Sequence, residues 1–242
     1  MIPKVIHYCW FGRNNKSRSM IDCIESWKRF CPDYQIIEWN EDNFDIDCIP
    51  FVREAYDAKK WAFVADYARL KIVYENGGIY LDTDVELLKS PDSLLSLPGY
   101  AGFQEDDLVN TGLGFGAEKG NVVIKALMED YHWRSAPAES AGYEKIACPI
   151  INTAVLEGLG LLANGEMQSV DGMTFFPRDY FCPKDSQTYL MTITDNTYSI
   201  HHYDATWKNQ NSGAKQKLIR AVVRVIGKDR FIKLKKFIKR NK

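Results

Sequence analysis

The chain predicts an α/β fold on a mostly parallel sheet, and three observations predict it. The N-terminal stretch alternates strand, helix and strand. A second helix runs through a glycine stop into another strand. A length of 242 residues, 45% apolar and 26% charged, suits one sizeable core. The opening "KVIHYCWFG" is apolar and β-branched, the pattern of a buried strand, and Gly12 with the polar "RNNKS" ends it. Ser19 to Phe30 follows as a helix with Ile21, Ile24, Trp27 and Phe30 on one face, and "YQIIEW" completes the β-α-β unit.

From Trp61 the apolar residues Trp61, Val64, Ala65, Ala68 and Ile72 recur at helical spacing. Asn76-Gly77-Gly78 stops that helix, because glycine accepts the left-handed conformation of a helix C-terminus. "IYLD" then reads as a four-residue strand, and "YAGFQ" and "GLGFGA" as later strands. Asn121 caps a helix running to Trp133 that buries Val123, Ile124, Leu127, Met128 and Tyr131. Another helix covers Ile150 to Leu162, and a strand lies around "TYSIHHY". The clear boundary is the polar break from Asn209 to Gly213, so residues 1–212 read as one domain and 213–242 as a tail.

The net charge of −1 hides an asymmetry. From Lys215 to Lys242 there are twelve Lys or Arg and one acid, Asp229, so the tail carries +11 and the rest of the chain −12. An acidic body of this kind is not a nucleic-acid-binding domain. The six cysteines contain no C-x-x-C pair and no zinc spacing, and read as reduced thiols. The N-terminus has no signal-peptide core, and no run of about 18 apolar residues suggests a membrane span. The expected location is the cytoplasm.

Chemistry concentrates in "GGIYLDTDVEL", residues 77 to 87. On a strand, Asp82 and Asp84 point to the same side. Two carboxylates that close repel unless a positive charge lies between them, and Mg²⁺ or Mn²⁺ with a substrate diphosphate would supply it. The pair also ends a strand, where ligands of open α/β sheets bind. Taken alone, the short pattern fits a solvated turn equally well. Asp66 and Arg69 share a face of the preceding helix, either as an ordinary surface ion pair or as a charged pair able to hold hydroxyls beside a metal.

"ADYARLKIVYENGGIYLDTDVELLKS" resembles the D-x-D block of glycosyltransferase family 32, which includes α-mannosyltransferases and bacterial capsule and lipopolysaccharide enzymes; glucosylating clostridial toxins carry a similar block. "IPKVIHYCWFG" resembles the family's opening strand. "HHYDATW" resembles its late His-x-x-x-S-W segment, with Thr206 where serine is usual. The resemblance implies a GT-A, Rossmann-like fold, a nucleotide-sugar donor, a divalent metal and retention of anomeric configuration. It places Trp10 against the base, a role for which its residue type alone is no better suited than for core packing. Asp66 and Arg69 would hold sugar hydroxyls, with Tyr80 nearby. Asp82 would contact ribose or sugar and reach the metal through water, while Asp84 would ligate the metal directly. His202 would be a further metal or phosphate ligand, with His201 on the opposite strand face as the weaker candidate. Trp207 and Lys208 would contact the diphosphate. Gln104, Asn110 and Thr111 fall where this fold builds its acceptor wall. The expected donor is UDP-galactose or UDP-glucose, with GDP-mannose behind, and the acceptor a glycan or lipid-linked saccharide.

In the tail, Lys217, Arg220, Arg224 and Lys228 form a basic stripe and Leu218, Val222 and Val225 an apolar one. Residues 215–240 thus read as basic amphipathic helix docking on an anionic membrane, on the inner face of the cell membrane, or else packing on the protein's own acidic body. Two other classes share parts of this pattern. A haloacid-dehalogenase-like phosphatase would carry its D-x-D on the first strand, whereas about eighty residues precede it here. A catalytically dead nucleotide-sugar-binding protein would not need the whole set Asp66, Arg69, Asp82 and Asp84.

Overall fold

The computed structural model describes residues 1–136, 147–185, 187–203, 212–227 and 230–231. In chain order the elements are β1 (Val5–Cys9), α1 (Arg18–Phe30), β2 (Gln35–Trp39), α2 (Pro50–Asp57), α3 (Trp61–Asn76), β3 (Gly78–Tyr80), β4 (Val85–Leu87), β5 (Gly99–Glu105), β6 (Leu108–Val109), β7 (Phe115–Ala117), α4 (Val122–Asp130), α5 (Cys148–Gly158), β8 (Gln168–Val170), β9 (Met173–Phe176), β10 (Ser199–His201) and α6 (Ser212–Ile226). The main sheet has the order β2-β1-β3-β7-β5-β9-β8, with β6 beside β5. Parallel pairing of β1 with β2 and β3, and of β5 with β9, leaves β7 and β8 as the strands of that path that run the other way. The sheet is therefore mostly parallel, as predicted.

Strand alternation divides the core in two. Ile6, Tyr8, Ile79 and Leu81 pack on one side of the sheet with Trp27 of α1, while Cys9, Tyr80 and Phe115 pack on the other with α2, α3, α4 and α5. Helix α1 forms where expected, but its buried face is Met20, Cys23 and Trp27, and Ile21 is exposed. The indole of Trp27 decides this rotation: its N–H donates to the Val85 carbonyl at 2.7 Å, and Ser26 Oγ accepts from the Leu87 N–H at 2.9 Å. Asn121 caps α4 as predicted, accepting from the Val123 and Ile124 amides. The six cysteines are free.

Helix α3 ends at two glycines with positive φ, Gly77 at 69° and Gly78 at 106°. A side chain on Gly78 would meet His7 Nε2 and the Val5 carbonyl at 2.9 Å, so the chain can enter β3 against β1 only with glycine here. Beyond β3 the chain leaves the main sheet. β4 pairs antiparallel with β10 in a separate two-stranded ribbon, with Ser199 opposite Leu87 and His201 opposite Val85.

In the tail, α6 turns Val223 inward, at 2% exposure, and leaves Leu218 and Val225 at 66% and 84%. Of the apolar stripe predicted from sequence, Leu218 and Val225 are therefore exposed and Val222 is half-buried. The predicted break from Asn209 lies largely outside the described residues, and Gly213 lies inside α6. No helix among the described residues is long and apolar enough to cross a membrane.

Candidate active site

The site forms where β1 and β3 end side by side. His7 pairs with Tyr80 in the parallel register, and the Leu81 N–H donates to the His7 carbonyl at 3.0 Å. His7 itself is a satisfied strand histidine: one ring nitrogen lies 3.0 Å from the Gly77 carbonyl and the other accepts from the Trp39 indole at 3.1 Å. The predicted strand "IYLD" stops at Tyr80. The D-x-D sits instead in a turn from Asp82 to Val85, closed by the Val85 N–H donating to the Asp82 carbonyl at 3.0 Å. Departure of β4 to pair with β10 bends the chain here. The two carboxylates converge all the same, because the turn is anchored by β1 on one side and by β10 on the other, where the His202 N–H donates to the Asp84 carbonyl at 2.9 Å.

Asp66 and Arg69 reach this turn from α3. They form a buried rather than a surface pair, at 7% and 3% exposure. Arg69 Nη2 lies 2.9 Å from Asp66 Oδ1 and 3.3 Å from Asp82 Oδ1, and Nε donates to the Ala65 carbonyl at 3.2 Å. Tyr80 is fully buried beneath them. Its hydroxyl donates to Asp82 Oδ1 at 2.9 Å, and the Arg69 guanidinium lies over its ring at 5.2 Å. The residue expected beside the ligand is thus a support that orients Asp82. Gly112 closes the pocket from another side, since a Cβ there would fall 2.7 Å from Asp82 Oδ2 and 3.0 Å from Arg69 Nη1.

The histidine expectation is corrected. His201, not His202, joins the aspartates: its Nε2 lies 3.2 Å from Asp84 Oδ1. Asp82, Asp84 and His201 offer ligand atoms that all lie within 4.8 Å of one another. His202 Nε2 instead pairs with Glu86 Oε2 at 2.9 Å. The pairing of β10 with β4 sets this, because it puts His201 opposite Val85 and next to the turn. His201 Nδ1 is buried without a partner.

The electrostatics are those of an acidic pocket taken out of water. Burial raises the Asp66 carboxyl to about 6, against the opposing pull of Arg69. Burial likewise raises Asp82, although Arg69 opposes it and Asp84 adds to it. Burial disfavours a charged His201, but the neighbouring Asp84 outweighs it and raises the ring's pKa. Three carboxylates facing one guanidinium leave an excess of negative charge, and a hard divalent cation with oxygen and imidazole donors matches that set. Asp82, Asp84 and His201 are the residues that would hold it.

Trp10 leaves the end of β1 half-buried. Its indole N–H donates to the Asn14 carbonyl at 2.6 Å, and Lys16 Nζ lies 5.4 Å over its ring. Lys16 is tied to Glu38 at 2.7 Å, and Glu38 also accepts from the Tyr8 hydroxyl at 2.5 Å. The ring is thus pinned at the strand edge where a base would stack. The expected acceptor wall is mostly internal. Thr111 is fully buried, and Asn110 Nδ2 donates to Gln104 Oε1 at 2.7 Å while its Oδ1 accepts from the Gly112 amide at 2.7 Å. Trp207 and Lys208 lie outside the described residues.

A mostly parallel sheet flanked by helices, with an acidic D-x-D turn at its strand edge, is the arrangement of the GT-A fold. Residues 17–98 match the family described as "Glycosyltransferase sugar-binding region containing DXD motif", and this stretch contains Asp66, Arg69, Tyr80, Asp82 and Asp84. The chain is 32% identical over 103 residues to inositol phosphoceramide mannosyltransferase 3 of Schizosaccharomyces pombe, covering 41% of this chain and 29% of that protein. It is also 32% identical over 109 residues to inositol phosphoceramide mannosyltransferase 2 of the same organism, covering 40% of this chain and 29% of that protein. It therefore spans less than a third of the length of these relatives. Among solved structures it resembles the PaToxG glycosyltransferase, with a TM-score of 0.52 and 18% identity over 65% of this chain and 69% of that one, a likeness of fold.

Proposed function

We propose that the protein is a metal-dependent glycosyltransferase that moves a hexose from a nucleotide-diphosphate sugar to a glycan or lipid-linked acceptor. The observation that carries this reading is the convergence of Asp82, Asp84 and His201 beside the buried Asp66–Arg69 pair. A divalent cation held there would neutralise the departing diphosphate. Trp10 would stack the base at the end of β1, and Asp66 with Arg69 would fix the sugar hydroxyls. Tyr80 and Arg69 hold the Asp82 carboxylate in place for the bound donor. Pre-set groups of this kind stabilise developing charge without reorganising.

Transfer with retention is part of the proposal. No carboxylate is assigned as a covalent nucleophile, so the acceptor hydroxyl attacks from the face that the diphosphate leaves. The relatives matched through the D-x-D stretch are named as mannosyltransferases, which brings GDP-mannose level with UDP-glucose and UDP-galactose. They are also named for a lipid, inositol phosphoceramide, which supports a lipid-linked acceptor. The exposed Leu218 and Val225 of α6 and the basic tail support docking on an anionic membrane from the cytoplasmic side, in surface-polysaccharide synthesis.

Release of nucleoside diphosphate tests the assignment. The protein is incubated with UDP-glucose, UDP-galactose and GDP-mannose, with Mn²⁺ or with chelator. Metal-dependent release from one donor, abolished in Asp84→Ala, is the expected result. Phosphate release from a monoester, or donor binding with no turnover on any acceptor, would overturn it.

A further inference from the structure

We propose that a buried polar network of Cys148, Thr111 and Asn152 positions the sugar-holding pair, tying the start of α5 to Asp66 and Arg69. This rests on the glycosyltransferase reading and assigns these residues to the sugar end of the donor rather than to its nucleotide. None of the three was expected at the site in this role.

Cys148 is the first residue of α5, and its sulfur is the junction. Arg69 Nη1 donates to it at 3.6 Å, Asn152 Nδ2 donates at 3.2 Å, and Thr111 Oγ1 lies 3.2 Å away. Asn152 Nδ2 also donates to Thr111 Oγ1 at 3.0 Å, which leaves the threonine hydroxyl hydrogen for the sulfur. The single thiol hydrogen faces two acceptors, the Asp66 carboxylate and Asn110 Oδ1 at 3.7 Å. Every group except the ion pair is uncharged. Burial pushes the Cys148 thiol up to about 12, so it stays protonated and serves as a hydrogen-bonding joint rather than as a nucleophile.

The geometry shows what the joint controls. Nη2 of Arg69 serves Asp66 and Asp82, and Nε serves the carbonyl of its own helix. The contact from Nη1 to Cys148 is the hydrogen bond to the guanidinium that comes from outside α3 and the D-x-D turn. Without it the guanidinium keeps its charge partners but Nη1 loses the hydrogen bond it makes among the described residues. Asn152 is fully buried and its Oδ1 has no partner, although an apolar side chain would fill the same volume without that cost. The amide is kept for the two bonds that its nitrogen makes. Around bound metals, supporting partners of this type change metal affinity or activity about 10- to 100-fold, and a similar order is expected here for the sugar.

The test compares the full chain with Cys148→Ala, Cys148→Ser and Thr111→Val by calorimetric titration with Mn²⁺ present. The ligands are UDP-glucose, UDP-galactose and GDP-mannose, each beside plain UDP or GDP. Cys148→Ala and Thr111→Val are expected to weaken the bound nucleotide sugar about tenfold or more, while the matching nucleoside diphosphate changes less than about twofold. Cys148→Ser, which keeps a donor and an acceptor, is expected to retain most of the affinity. Equal losses for sugar and plain nucleotide, or no loss for either, overturn the assignment. If Cys148→Ala does not fold, Thr111→Val reads the same ratio. If the unaltered protein binds a nucleotide sugar and the variants lose sugar and plain nucleotide equally, this inference fails alone. If it binds no nucleotide sugar, the glycosyltransferase reading fails and this inference with it.

Discussion

Arg69→Met removes the fixed positive charge that Asp66 and Asp82 share and leaves two buried carboxylates without it. The lost attractions are large: at an effective dielectric near 20, charges 2.9 Å and 3.3 Å apart interact by about 6 and about 5 kcal/mol. Much of that already offsets the desolvation of the three groups. Breaking a buried pair by removing one partner costs about 3–5 kcal/mol net. For a domain stable by about 5–15 kcal/mol, the variant should lose about a fifth or more of its stability. Two further measurements separate this cause from a simple packing defect. Mn²⁺ should return part of the lost stability, because the unpaired carboxylates then bind the cation more strongly. Arg69→Met combined with Asp66→Asn should be more stable than the single variant, because one stranded charge is gone. Urea denaturation of the wild type, Arg69→Met, Asp66→Asn and the double variant, with Mn²⁺ and with chelator, gives all of these values. A loss in Arg69→Met below about 1 kcal/mol, or a double variant less stable than the single one, would refute the reasoning.

The other predictions concern the metal, the pH response and the tail. His201→Ala and Asp84→Asn should each weaken Mn²⁺ binding more than tenfold, while His202→Ala leaves it within about threefold; a larger effect of His202→Ala than of His201→Ala would return the ligand assignment to the sequence expectation. In metal-free protein, the folded Asp66 carboxyl titrates at about 6 against an ordinary 3.8. The folded state therefore holds that proton more tightly, and stability falls as pH rises from about 4 to about 6, by roughly 3 kcal/mol. Asp66→Asn should lack this fall, and a wild-type-minus-variant difference that is flat with pH from 4 to 7 contradicts it. Sedimentation with anionic liposomes should carry down the full chain but not a chain ending at Asn211, with the difference shrinking in salt; equal sedimentation rules out the tail as a membrane dock.

What the sequence made legible is what local chemistry determines. The glycine stop at Gly77-Gly78, the Asn121 cap and the shared helical face of Asp66 and Arg69 are all set by residues within a few positions of one another. Choosing between His201 and His202 is a different problem. Strand alternation says that they face opposite ways, but the pairing of β10 with β4, more than a hundred residues earlier in the chain, decides which one meets Asp84. For the same reason the sequence leaves Tyr80 open as a ligand contact, while the structure buries it under Arg69. The rotation of α1 depends on one indole finding the Val85 carbonyl, which no helical periodicity contains. The sulfur junction at Cys148 gathers residues from α3, the Asn110–Gly112 turn and α5, and has no sequence spacing at all. Gly112 left a weak trace, as one glycine in a glycine-rich run.

The choice posed by the two aspartates, a clamp or a turn, is a false opposition in this fold. A turn is what lets the clamp exist. Had residues 82 to 84 stayed extended in the main sheet, both carboxylates would face α3, with Arg69 between them and nothing on the far side. Departure of β4 into its ribbon with β10 carries Asp84 away from Arg69 and towards His201. Asp82 stays with the guanidinium and the Tyr80 hydroxyl. The acids are thereby given unlike neighbours, one cationic and fixed, the other an imidazole with ligand capacity. A cation between them completes the charge of the pocket without displacing Arg69 from Asp66. Under the proposed function, a metal-bound diphosphate would sit on the Asp84 side and sugar hydroxyls on the Asp66 side, with Asp82 touching both.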